Sequence, residues 1–443
     1  MSNTLLLDKK DLKPPVARGP IRAALKVPGS KSITQRALMT AFLAKGKSLL
    51  KDPLHSEDIT LLSGSLRALG ATVEPEDGGG LAVTGTGGSI KNGGLNRSAP
   101  LELYMGNNGT GIRFLASAVC LGRGWYRLYG TERMGERPIQ PLLDALTQWG
   151  AEAITEKGNG CPPVMIKSAG LKGGHCRLEA RKSSQYLSSL LLSGPYCKEN
   201  ALIELDGLVS RPYVDLTISV MKAFGIDVVE KGTAFSVERG CYRSIEYQVE
   251  GDASSASYFF AAAAITGGEV TIENLPQDSL QGDSAFVDLL AQMGCVIERN
   301  SSSTTVRGPE PGKLKAIETD MSKWPDMVPT LAIVAAFASG TTVIKNVAHL
   351  RIKETDRLKA VASELSKLGS RVKELPDGLV IEGGKPLRPA SISTYDDHRI
   401  AMCFAVAGLK VEGLTIQDPG CVAKSFPDFW QRWYKMADID PDK

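Results

Sequence analysis

RALGATVEPEDGGGLAVTGT, residues 67–86, holds the pattern that decides the fold. A helical pattern runs into Gly70, where a glycine can adopt the left-handed conformation that ends a helix, and the alternating residues after it start a strand. A second strand, GLAVTGT, follows directly. The same order recurs in TQWGAEAI, KAFGIDVV, AQMGCVIE and SKLGSRVK, with Gly150, Gly225, Gly294 and Gly369 at the helix stops. PPVMIKS, AFSVERG, TTVRGP and GLVIEGG supply the second strand of the other copies.

Upstream of each stop lies a β-rich run entered from a glycine- or charge-bearing turn: KGKSLLKDPL, RGWYRLYGTE, ENALIELDGL, GGEVTIENLP, SGTTVIKNVA and EGLTIQDPG, starting near residues 45, 123, 199, 267, 339 and 412. The spacing of roughly 70 to 78 residues describes six copies of one supersecondary unit. The sixth copy lacks its glycine-stop half, and the N-terminal strand from Ile21 to Val27 is expected to complete it. A chain that starts and ends in one domain must cross to the second and return. Crossings are expected at Val27–Ser32 and Gln248–Ser254, giving a discontinuous domain of residues 1–29 and 252–443 and an inserted domain of residues 30–251. Each holds three units of an α/β (α+β) fold, with helices packed behind sheets of mixed strands. An open solenoid is the alternative, but repeats of this length more often close into globular domains.

The 443 residues suit two domains of about 200 residues each. With 52 Lys and Arg against 49 Asp and Glu, the net charge of +3 gives no reason to expect a nucleic-acid or membrane partner, so anions would have to meet locally concentrated cations. The opening MSNTLLLDKK has too short an apolar run for a signal peptide. The most apolar stretches, Tyr258–Thr266 and Met327–Ser339, fall short of the roughly 20 residues of a membrane span and read as buried helices. Eight cysteines form no C-x-x-C pair and, with four histidines, suggest no zinc site, which points to reduced thiols in a cytoplasmic protein.

The loops after the strands carry the unusual residues, as expected where a scaffold positions functional loops. VPGSKSITQR (27–36) puts Lys31, Ser32 and Arg36 at a helix start, where exposed N–H groups and the helix dipole already favour anions. It is no nucleotide P-loop, because Ser30 rather than glycine precedes Lys31. Arg113, Arg137, Arg211, Lys353, Arg357, Arg399 and Lys424 come from both halves, and planar guanidinium groups suit phosphate and carboxylate. Taken singly, GNNGTG is a turn, KETDR a solvated helix face and DDHR a structural histidine; their shared position in the repeat argues for one site.

The set PGSKS, GNxGTxxR, ERPI, SSQ, SRPY, EGDASSASYF, PD, RxKETDR, YDDHR and AKSFPD, in order from about Leu25 to Trp430, resembles the 5-enolpyruvylshikimate-3-phosphate synthase family. The resemblance implies a two-domain inside-out barrel of six βαβαββ units, three per domain, closing on substrates in the interdomain cleft. It implies transfer of the enolpyruvyl group of phosphoenolpyruvate to the 5-hydroxyl of shikimate 3-phosphate, with release of phosphate, in aromatic amino acid biosynthesis. No cofactor or metal is implied, the partners are the two small substrates, and nothing demands more than a monomer. Carried over motif by motif, Lys31, Ser32, Arg36, Ser183, Ser184, Gln185, Ser210, Tyr213, Asp326, His349 and Lys353 would bind shikimate 3-phosphate. Lys31, Asn107, Gly109, Arg137, Gln185, Arg357, Arg399 and Lys424 would bind phosphoenolpyruvate.

Addition to an enol ether carbon needs one proton delivered to the methylene and another taken from the attacking hydroxyl, and elimination reverses those roles. Asp326 is the candidate base for the hydroxyl, Glu354 the partner for the methylene proton, and Lys31 could assist either transfer. The cations would stabilise a tetrahedral intermediate. His349 stands where the family pattern has Asn, and Asn108, Gly111, Ile112 and Phe114 depart from it around the retained Gly109. Gly109 favours sensitivity to glyphosate, although a bulky Phe114 in place of Pro could tilt its loop. Two alternatives remain. In the enolpyruvyl transferases acting on UDP-N-acetylglucosamine, a reactive Cys is expected at the position of Glu132; a non-catalytic anion-binding scaffold would leave Asp326 and Glu354 without a purpose.

Overall fold

The computed structural model describes residues 10–438, so the opening run read above for a signal peptide lies outside the described residues as far as Lys9. The chain divides into two units: the segment up to Pro28 together with Glu250 onward, and Gly29–Val249. Each has its own continuous hydrophobic core.

Gly29–Val249 contains three four-stranded sheets of one pattern. In the first, Lys45–Lys51 pairs in parallel with Glu246–Gln248 and antiparallel with Gly80–Thr86, which in turn pairs with Thr72–Glu76. The second places Arg123–Tyr129 between Leu101–Tyr104 and Val164–Ala169, and the third places Ala201–Leu208 between Gly174–Ala180 and Ala234–Val237. The other unit repeats the pattern around Glu269–Ile272 and Gly340–Lys345.

The sixth copy corrects the sequence expectation. Arg22–Leu25, within the segment expected to complete that copy, instead pairs in parallel with Glu269–Ile272 of the fourth. Asp11–Leu12 takes the place beside Thr415–Gln417, whose other neighbour is Ser391–Ile392. The reason lies in the connectivity. At both passages between units, a parallel edge strand stays in one unit while the helix after it enters the other, so Arg22–Leu25 and Glu246–Gln248 occupy equivalent places.

Glycines end the helices as the pattern requires: Gly70, Gly150, Gly225, Gly294 and Gly369 all have positive φ, between 86° and 106°. The first helix of each copy is rich in apolar and small residues and is buried along most of its length. Lys31–Leu43, Gly109–Ala118 and Gln185–Ser193 form the centre of one unit. Ala253–Thr266, Val328–Phe337 and His398–Gly408 form that of the other. Strands such as Glu152–Thr155 alternate exposed and buried residues, so their sheets turn one face to solvent. Among the described residues no helix is long and apolar enough to cross a membrane, and the eight cysteines are unpaired.

Candidate active site

In each unit the predicted residues collect where helices begin. Within Gly29–Val249, Ser30 caps the Lys31–Leu43 helix, its side chain accepting from the Ile33 N–H at 3.4 Å. That turn is tight because a Cβ on Gly29 would lie 2.1 Å from the Asp52 carbonyl oxygen. Lys31 therefore starts the helix with its ammonium 3.5 Å from the Asp58 carboxylate.

Arg36, one turn on, is only 2% exposed. It donates to the Thr217 hydroxyl at 2.7 Å and to the carbonyls of Ser32 and Tyr213 at 2.8 and 3.0 Å, and it stacks on the Phe114 ring. Among the described residues no carboxylate lies within salt-bridge distance of it. Burial pulls it down to about 10, which leaves it protonated at neutral pH. A buried cation held by neutral oxygens, with N–H groups to spare, suits an anion.

The Gly109–Ala118 and Gln185–Ser193 helices meet at their N-termini, where the Gln185 amide donates to Thr110 at 2.9 Å and accepts from Arg113 at 2.6 Å. Arg137 donates to both the backbone and side-chain oxygens of Asn107 at 2.8 Å. Its guanidinium lies so close to Gly109 that a Cβ there would stand 2.4 Å from Nη2. The departures around Gly109 have structural employment. Asn108 caps the helix through Gly111 N at 2.8 Å and donates to the Asp58 carbonyl, while Phe114 is fully buried beneath Arg36. Ser183 accepts from Gln185 N, Ser184 is buried at the helix start, and Ser210 holds φ at +53°, a strained value for serine. Arg211 is more exposed than Arg36, and Asp215 and Glu230 occupy its fork at the start of its helix.

In the other unit, Arg357 is the hub. It is 1% exposed and reaches three carboxylates: Asp326 at 2.9 Å, Glu354 at 2.8 Å and Asp397 at 2.7 Å. Arg399 donates to the other oxygen of Asp326 at 2.8 Å. Burial pushes Asp326 towards its neutral form, but Arg399, Arg357 and Lys353 together outweigh it and hold the carboxyl well below the usual range. Arg357 keeps its charge for the reciprocal reason, its carboxylates outweighing burial. The expected excess of cations is thus offset here, since Arg357 and Arg399 are already paired.

Asp397 also caps the His398–Gly408 helix by accepting from Arg399 N at 2.9 Å. The two residues before it, Tyr395 and Asp396, both have positive φ, and the buried Glu364 accepts from the Tyr395 hydroxyl at 2.6 Å. His349 is held down to about 4 by burial and by Lys353, so it is neutral, and its buried Nε2 has no hydrogen-bond partner among the described residues. Lys424 is buried at the end of the Pro419–Lys424 turn. Asp58, Thr217, Ser254, Asp283 and Asp397 were not named individually from the sequence; Ser254 and Asp397 lie within the motifs EGDASSASYF and YDDHR, whereas Asp58, Thr217 and Asp283 carry no local signal.

Comparison with known proteins shows the family of the chain. Residues 16–433 match the family described as EPSP synthase (3-phosphoshikimate 1-carboxyvinyltransferase). The 3-phosphoshikimate 1-carboxyvinyltransferase of Nostoc punctiforme is 44% identical over 429 residues, covering 96% of this chain and 98% of the relative. That of Marinomonas sp. is 42% identical over 430 residues, covering 95% and 99%. Among solved structures, EPSP synthase from Acinetobacter baumannii superposes with a TM-score of 0.80 at 29% identity, covering 97% of this chain and 98% of that one. The enolpyruvyl transferase NikO from Streptomyces tendae, at 17% identity and a TM-score of 0.78 over 96% and 97% of the two chains, shares the fold.

Proposed function

The chain belongs to the EPSP synthase family, and from that premise we propose how its side chains carry the transfer of the enolpyruvyl group from phosphoenolpyruvate to shikimate 3-phosphate. Neither alternative acceptor chemistry nor a non-catalytic scaffold is favoured by relatives at this identity and coverage.

Lys31, Ser32, Arg36, Ser183, Ser184, Gln185, Ser210, Tyr213, Asp326, His349 and Lys353 would hold shikimate 3-phosphate. Lys31, Asn107, Gly109, Arg137 and Gln185, with Arg357, Arg399 and Lys424, would hold phosphoenolpyruvate. The two units would then be domains, residues 1–29 with 252–443 and residues 30–251, each an inside-out barrel with its sheets outside its buried helices. Localisation would be cytoplasmic, and the enzyme a monomer with no nucleic-acid partner.

The observation that carries this reading is the pair of carboxylates, Asp326 and Glu354, on the two Nη atoms of one buried guanidinium. Asp326 would accept the proton of the 5-hydroxyl as it attacks, and Glu354, with Lys31, would exchange the methylene proton. Elimination of phosphate would return the protons along the same groups. While Asp326 is shared by Arg357 and Arg399 it is a weak base. Anionic phosphoenolpyruvate drawing on those cations would loosen it and raise its basicity when the donor is present.

The test is phosphate release on mixing the protein with phosphoenolpyruvate and shikimate 3-phosphate. Release is expected. No release with this acceptor, together with release using UDP-N-acetylglucosamine, would reverse the assignment; binding without turnover of either would favour the scaffold.

A further inference from the structure

Beside the Asp326 cluster lies a further buried carboxylate that none of the steps above uses. Asp283, 6% exposed, sits in the short Gly282–Ala285 turn. The Ser254 hydroxyl, in the first turn of the Ala253–Thr266 helix, donates to Asp283 Oδ2. The same hydroxyl oxygen accepts from Arg399 Nη2 at 3.2 Å, and that nitrogen also donates to Asp326. A hydroxyl has one proton. While Asp283 takes it, the lone pairs of Ser254 are left for the guanidinium, so the carboxylate fixes which way the serine faces.

The arrangement is built in by the same segment. Gln281 donates to the Gly251 carbonyl at 2.7 Å and accepts from Ala253 N at 3.1 Å, tying the helix start to the turn that carries Asp283.

We propose that Asp283 is a positioning residue for Arg399, acting through Ser254 to hold the guanidinium in the one orientation that receives the anionic end of phosphoenolpyruvate. The proposal rests on the assignment of Arg399 to that substrate. Asp283 is faced by Asp252 and Ser254 at the start of the Ala253–Thr266 helix, by Arg399 on the His398–Gly408 helix and by Asp326 in the Pro325–Met327 turn. Burial first, and Asp326 second, push it up to about 6 against the pull of Arg399 and Ser254. Its folded value is above the unfolded one, so stability is lost as pH rises from 3.8 through about 6, and above that window the ionised form carries the full cost. A carboxylate kept at such a cost fits a role in the site better than one in folding.

The test is steady-state kinetics and melting at pH 8 for Asp283→Asn, Ser254→Ala, the double variant and Ser254→Thr. Asp283→Asn and Ser254→Ala should each raise KM for phosphoenolpyruvate about 10-fold with KM for shikimate 3-phosphate unchanged. The double variant should be no worse than the more impaired single one, because one relay is cut twice. Ser254→Thr, which keeps the hydroxyl, should restore the parent KM, and Asp283→Asn should melt no lower than the parent. An unchanged KM for phosphoenolpyruvate in Ser254→Ala, additive losses in the double variant, or a lowered Tm with both KM values raised together would overturn the proposal. If Asp283→Asn does not fold, the role is structural and the proposal fails with it. Arg399→Lys separates the two levels: if it leaves KM for phosphoenolpyruvate unchanged, the assignment of Arg399 is wrong, and if it alone raises that KM, only the relay is wrong.

Discussion

Asp326 is shared by two guanidinium groups, and this sets what its removal should do. Asp326→Ala should lower kcat by about 10²–10⁴-fold, the usual contribution of a positioned base, while shikimate 3-phosphate binding falls far less. Phosphoenolpyruvate should bind no more weakly, because Arg357 and Arg399 are then released to it. Kinetics with calorimetric binding check this, and equal losses of turnover and shikimate 3-phosphate binding would make Asp326 a ligand only. Gly109→Ala would set a methyl against the Arg137 guanidinium, so KM for phosphoenolpyruvate should rise with little change for the other substrate. His349 is held down to about 4, below the roughly 6.5 of a free histidine. As pH falls from 6.5 towards 4 the unfolded chain takes up a proton that the native site refuses, so stability drops across that window. His349→Asn should flatten the plot of Tm against pH there, and an unaltered slope would show that another group titrates.

At the scale of elements, helix starts carry the site. The Gly109–Ala118 helix depends on Asn108 as its cap and on Phe114 as its packing against Arg36. Asn108→Ala should cost about 1 kcal/mol in denaturant unfolding, the usual value of a lost cap. Phe114→Ala, at a fully buried position, should cost about 3–5 kcal/mol and also weaken shikimate 3-phosphate binding by loosening Arg36. A Phe114→Ala protein that binds that substrate as the parent does would show that Thr217, Ser32 and Tyr213 hold Arg36 without the ring. Some short edge strands that open a copy or close a unit, such as Leu101–Tyr104 and Glu246–Gln248, were not apparent from sequence. They are only three or four residues long and mix charged with apolar residues, so nothing local separates them from loop.

At the scale of the molecule, every strand of the three sheets in Gly29–Val249 comes from that segment, including Glu246–Gln248 at its end. A protein of residues 29–249 should therefore fold alone, with a cooperative thermal transition and mixed helix and strand circular dichroism. A random-coil spectrum would mean that its core needs the rest of the chain. The complementary unit is assembled from both ends of the sequence and has no such continuous fragment.

The repeat of strand, helix and glycine stop, and the residue types at the helix starts, are local properties, and the sequence by itself determined them. A glycine at a helix end and a cation at a helix start act through their immediate neighbours. Only the tertiary structure decided that Arg22–Leu25 joins the fourth copy while Asp11–Leu12 completes the sixth, because strand pairing over hundreds of residues leaves no mark in a short edge segment. It also decided that Arg357 and Arg399 share Asp326 and that Ser254 links Arg399 to Asp283. Charge compensation between buried groups depends on distances of about 3 Å between residues far apart in the chain, and composition cannot supply them.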